Sequence, residues 1–140
     1  MFRHLLGRTC ENESRDVLLA CLLSFTKRGE EEISLPEVFD GVLRLQEALR
    51  LGYEFSKDFL YSSKVFEDIA QLEEHGYVRR HVYTHDGFLP KSYVTLTMLG
   101  RGHAEMVAQH LTEPTQEAIS EAVQTSIADH KEYWRLYSRM

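Results

Sequence analysis

Ile69-Ala70-Gln71-Leu72-Glu73-Glu74-His75-Gly76-Tyr77-Val78 reads as the end of one element and the start of another. Val65, Phe66, Ile69, Ala70 and Leu72 recur at helical spacing, which predicts a helix from Ser62 or Ser63 to His75. Gly76 is its stop, since glycine enters the left-handed conformation that ends helices without a Cβ clash. From Tyr77 to Tyr83 the spacing of apolar residues suits a strand, and Lys91 to Thr97 is its return. His85-Asp86-Gly87 between them is turn chemistry. Pro90 lacks a backbone N–H and fits the beginning of the returning strand. Alternation puts Val78 and Val82 on one face with Val94 and Leu96. The other face then carries Arg79, His81, Tyr83, Tyr93 and Thr95.

Working back towards the start, Ser14 is the expected N-cap of a helix running to Lys27. Val17 to Leu23 and Phe25 make it apolar almost all round, the pattern of a helix buried on several sides. Lys27 and Arg28 suit its negative C-terminal end, and Gly29 suits its cap. A second helix has a well-marked start. Ser34 and Glu37 form a capping box, Ile33 and Val38 a hydrophobic staple, and Pro36 lies in the first turn. Val38, Val42, Leu45 and Leu49 form its stripe, with Gly52 as its expected end. The connection from Tyr53 to Tyr61 is rich in aromatics, and these are expected to pack beneath it.

Beyond the hairpin, a helix is predicted from Met98 through His110, then a long one from Thr112–Pro114 towards Tyr137. Ile119, Val123, Ile127, His130, Trp134 and Tyr137 line one stripe of the last helix. Either this chain or a second copy would satisfy that stripe, and the expectation is a homodimer paired through it.

Three helices, a hairpin and trailing helices give an α+β, mostly α fold in winged-helix order. The expected organisation is an N-terminal arm over residues 1–13, a winged-helix domain over 14–111 and a dimerising helix over 112–140. The quoted Ile69–Val78 segment and Tyr93-Val94-Thr95-Leu96-Thr97-Met98-Leu99-Gly100-Arg101-Gly102 resemble the transcription-regulator families PadR and MarR. Residues 62–107 carry that resemblance, and 14–52 join it by helix order. It implies DNA-binding regulation by a dimer, with the third helix in the major groove and the wing on phosphate. Leu45-Gln46-Glu47-Ala48-Leu49 and Leu51-Gly52-Tyr53-Glu54-Phe55 more weakly resemble the antitoxin-like family Panacea. Leu60-Tyr61-Ser62-Ser63 stands where that family has Gly-Pro.

The 140 residues carry 16 Lys+Arg against 22 Asp+Glu, a net charge of -6, which excludes a strongly cationic coat protein. Hydrophobic residues at 43% suffice for a core. Two cysteines, Cys10 and Cys21, cannot make a disulfide framework or a four-thiolate zinc site. The longest apolar run, Val17 to Leu23, falls well short of the roughly 20 residues that span a bilayer. Met1 to Arg8 lacks the pattern of a signal peptide. The expectation is a cytoplasmic protein with no membrane contact.

Charge divides the expected wing from the helix before it. The third helix sets Lys64 against Glu67, Asp68, Glu73 and Glu74, one cation to four carboxylates. The segment from Gly76 to His103 reverses this, with Arg79, Arg80, Lys91 and Arg101 against Asp86. Candidate contacts to double-stranded DNA are therefore Ser62, Ser63 and Lys64 at the helix start, with Arg79, Arg80, His81 and Lys91 on the wing. The alternative is a winged-helix module that binds a protein partner. An enzyme is not expected. His81 and His85 lack the helical spacing that shares a zinc, and no nucleophile elbow or phosphate-cradling glycine loop occurs. No cofactor or metal is expected.

Overall fold

A computed structural model describes residues 11–84 and 90–138, with side chains for 14–84 and 90–131. Among the described residues there are five helices and three strands: α1 (Glu11–Lys27), β1 (Ile33–Ser34), α2 (Leu35–Ala48), α3 (Ser63–Glu74), β2 (Val78–Tyr83), β3 (Lys91–Leu96), α4 (Met98–His110) and α5 (Glu113–Ser138). The fold is α+β and mostly helical. The arm expected over residues 1–13 falls mainly outside the described residues, but Glu11 already belongs to α1.

α1 is the central helix. Every residue from Val17 to Leu23, and Phe25, is buried. α2, α4 and α5 all pack on it. A helix apolar on every side needs neighbours on every side, and this one has them. Ser14 is not its N-cap, because the helix begins earlier. Its buried hydroxyl donates instead to the Leu51 carbonyl at 2.7 Å and ties down the connection after α2.

α2 starts where its capping box predicts. The Glu37 N–H donates to Ser34 Oγ at 3.3 Å, and Ser34 Oγ donates to Glu37 Oε1 at 3.0 Å. It ends at Ala48 rather than near Gly52, and Gly52 lies in the connection. That connection does not bury all its aromatics. Tyr53 is enclosed, but Phe59 is 74% exposed and Tyr61 is exposed too. Gln46 explains the enclosure, since its side chain accepts from the Tyr53 N–H at 2.8 Å and donates to the Tyr53 carbonyl at 2.6 Å.

The two sequence words that decide the fold are bolted to each other. α3 ends with Gly76 at φ +79°. The Gly76 N–H donates to the Glu73 carbonyl and the Tyr77 N–H to the Leu72 carbonyl, which is a Schellman cap. Thr97 caps α4 by accepting from the Gly100 N–H at 2.9 Å, and its hydroxyl donates to the Gly76 carbonyl at 2.6 Å. A Cβ on Gly100 would sit 1.8 Å from the Tyr77 carbonyl oxygen, so the approach of α4 to the start of β2 requires glycine.

The sheet is antiparallel with order β1-β3-β2. Val78 pairs with Leu96, Arg80 with Val94 and His81 with Tyr93. Ile33 pairs with Val94 on the far side of β3. The register upholds the predicted faces: Val78, Val94 and Leu96 enter the core. Val82 shares their face but is 61% exposed, because the hairpin runs on past the body. α5 lies along α2 and α1, burying Ile119, Ala122, Val123 and Ile127. The stripe expected to pair two copies is thus covered, in these turns, by its own chain. His130 continues it, with Nε2 3.8 Å from Glu37 Oε1. The side chains of Trp134 and Tyr137 lie outside the described residues.

Candidate nucleic-acid interface

Alternation along β2 sends adjacent arginines to opposite sides of the hairpin. Arg80 faces inward, towards α3. Its Nη2 lies 2.7 Å from Glu73 Oε1, its Nε donates to the same oxygen at 2.9 Å, and its backbone N–H donates to Oε2 at 3.1 Å. Its guanidinium also stands 5.1 Å from the centre of the Phe66 ring. Hydrogen bonding to Arg80 holds the Glu73 carboxyl below the ordinary range. Arg80 was expected to reach phosphate; it is engaged in closing the hairpin on α3. Arg79 faces outward, is exposed, and makes no ion pair among the described residues.

The rest of the outward face is aromatic. The His81 and Tyr83 rings lie 6.4 Å apart, and Tyr83 meets Tyr93 edge-on at 5.4 Å. The Tyr83 hydroxyl donates to Glu32 Oε1 at 2.6 Å, and this hydrogen bond raises its pKa. Lys91, across from Tyr83 in the register, is exposed. Arg79, Tyr83 and Lys91 therefore present an open surface, while His81 is half-buried.

The start of α3 is rearranged relative to expectation. Ser62 is its N-cap, accepting from the Val65 N–H at 3.4 Å, and is only 1% exposed. A buried cap offers nothing to a phosphate, so Ser62 leaves the set of candidate contacts. Ser63 is exposed. Lys64 is half-buried, with Nζ 3.4 Å from Asp68 Oδ1.

Asp68 is fully buried and accepts from the Tyr53 hydroxyl at 2.6 Å. Burial and this partner push the Tyr53 hydroxyl pKa up strongly. Two of the four α3 carboxylates are thereby removed from the outer surface, Asp68 into the core and Glu73 onto Arg80. Glu67 and Glu74 stay exposed. The outer surface of α3 is less acidic than its composition, though its middle offers no cation for reading bases.

Sequence reasoning does not reveal β1, because two residues carry no period and Ile33 and Ser34 read as staple and cap. It also missed the pairing of Tyr53 with Asp68. Both are polar and fifteen residues apart, and no spacing rule joins a loop tyrosine to a helix carboxylate. Among the described residues, no group of His, Cys, Asp or Glu is placed to hold a metal ion, and no helix is long and apolar enough to cross a membrane. Comparison with protein-family models, with curated proteins and with solved structures found no match to this chain.

Proposed function

We propose that this chain is a winged-helix regulator of the PadR and MarR kind, docking on duplex DNA through its hairpin and the N-terminal end of α3. The observation that carries the reading is the sheet. A two-residue strand between the first two helices joins the returning strand of the hairpin, giving β1-β3-β2 beside three helices. That order supports a winged-helix reading, in which β2 and β3 serve as the wing. Charge lends further support. Arg79 and Lys91 are exposed on the wing, while Asp68 is buried beside Lys64 and Glu73 is paired with Arg80. The contacts this surface favours are to phosphate, which set position more than sequence.

Binding should therefore weaken steeply with salt. The test is a salt-titrated binding assay on genomic and random duplex fragments. Retention that falls as salt rises supports the reading; no retention at about 50 mM salt, where phosphate contacts are strongest, ends it. Dimerisation belongs to the same proposal. With Ile119, Val123 and Ile127 covered, it falls to the end of α5, where the sequence places Trp134 and Tyr137. Light scattering that returns a monomer mass at micromolar concentration would overturn that part.

A specific observation favours a second reading, a module that binds a protein. Phe59, Leu60 and Tyr61 on the connection and Met98 and Leu99 at the start of α4 are exposed apolar side chains. Charge reversal of Arg79 and Lys91 separates the two: it abolishes a DNA complex and spares a protein complex.

A further inference from the structure

Ile33 sends its side chain into the core, so alternation turns the preceding Glu32 towards the outward face of the sheet. The register agrees. Ile33 lies beside Val94, and the antiparallel step before it carries Glu32 towards Thr95, the partner of Arg79. Glu32 is exposed, and its Oε1 accepts from the Tyr83 hydroxyl at 2.6 Å. Tyr83 thus reaches from β2, past the Tyr93 ring on β3, to the residue before β1. This places a carboxylate on the same face as the exposed Arg79.

A phenol has one proton to donate. Carboxylate and phosphate oxygens are both anionic acceptors, and tyrosine is among the side chains that donate to nucleic-acid phosphates. The two acceptors therefore compete for one hydroxyl. The Glu32 charge also repels an approaching phosphate. Glu73 and Asp68 are placed differently, the first bonded to Arg80 on the inward side and the second buried.

We propose that Glu32 is a built-in competitor of phosphate: its carboxylate holds the Tyr83 hydroxyl in the free protein, and docking on DNA passes that hydroxyl to a phosphate oxygen. The inference rests on the reading of this chain as a DNA-binding protein. It adds a negative regulator of affinity that lies outside the hairpin, in the loop between α1 and β1.

The test follows a fluorescein-labelled random-sequence duplex by anisotropy across a salt series, with the full chain and its variants. Glu32→Gln keeps an acceptor for Tyr83 and removes the charge. It should bind about threefold tighter at low salt, as for one charge repulsion relieved, with the gain shrinking as salt rises. Glu31→Gln makes the same charge change on the neighbouring exposed residue and should gain less. Adding Tyr83→Phe to Glu32→Gln should weaken binding again, while circular dichroism shows the fold retained. A parent that binds with Glu32→Gln no tighter overturns this proposal alone, as does an equal gain from Glu31→Gln. A double variant as tight as Glu32→Gln overturns the handover of the hydroxyl. No retention of parent or variants ends the DNA reading and this inference with it.

Discussion

Arg80 grips Glu73 with its side chain and its main chain together, placing both Nη2 and Nε within 2.9 Å of one carboxylate oxygen. The bond joins the inward face of the hairpin to α3 and pairs one charge of each sign. Because Glu73 is held below its ordinary pKa, the pair contributes stability above the unfolded value of about 4.3. That contribution is lost as pH falls through the lower folded value. Glu73→Gln should cost about 1 kcal/mol or less at neutral pH, the pair being partly open to solvent. Urea unfolding should show the gap between variant and parent closing as pH is lowered from about 5 to about 3. A gap of constant size would contradict this account.

Adjacent arginines should separate cleanly in DNA binding. Arg79→Ala removes an outward charge, and should reduce the slope of log affinity against log salt by about 1. Arg80→Ala should leave that slope unchanged and lower the unfolding free energy instead. Equal slopes for the two variants would show that the wing does not meet phosphate as proposed.

Two glycines of α4 should respond oppositely to alanine. Gly100→Ala drives a methyl into the Tyr77 backbone, and should cost about 3 kcal/mol or more. Gly102 has nothing within 4 Å of an added Cβ and is exposed, so Gly102→Ala should stabilise by up to about 1 kcal/mol. Thermal unfolding of the two variants side by side measures the contrast, and similar midpoints would refute it.

Tyr53→Phe should destabilise by about 1–3 kcal/mol, since it takes the hydroxyl from a buried carboxylate. The raised Tyr53 pKa gives a second signature. Its stabilising contribution is complete below the unfolded value of about 10 and is lost as pH rises beyond it. Absorbance titration should find Tyr53 the last described tyrosine of the native protein to ionise, after Tyr83, and still neutral where the urea-unfolded chain has ionised all of its own. Tyr53→Phe should remove that late ionisation; its persistence would place the buried hydroxyl elsewhere.

The starts of α2, α3 and α4 and the two faces of the β2–β3 pair are legible in the sequence. Ser34 with Glu37 marks one helix start, and Gly76 marks one helix end, through bonds reaching only a few positions along the chain. The candidate interface was legible only in part. Arg79 and Lys91 are exposed as expected, but Arg80 and Ser62 are occupied in holding the fold. Counting charges along α3 overstated its acidity, because a count does not tell a buried Asp68 from an exposed Glu67.

Sequence alone determined where α2, α3 and α4 begin and which side chains of β2 and β3 share a face, because capping and periodicity act between near neighbours. Tertiary structure decided which charges remain outside, that Ile33 closes the sheet, and that Ile119 to Ile127 pack on this chain. Those outcomes depend on partners brought close through space, such as Ser126 donating to the Glu37 carbonyl across 89 positions of chain. Burial and pairing energies follow distance in three dimensions, and spacing in one dimension carries no measure of it.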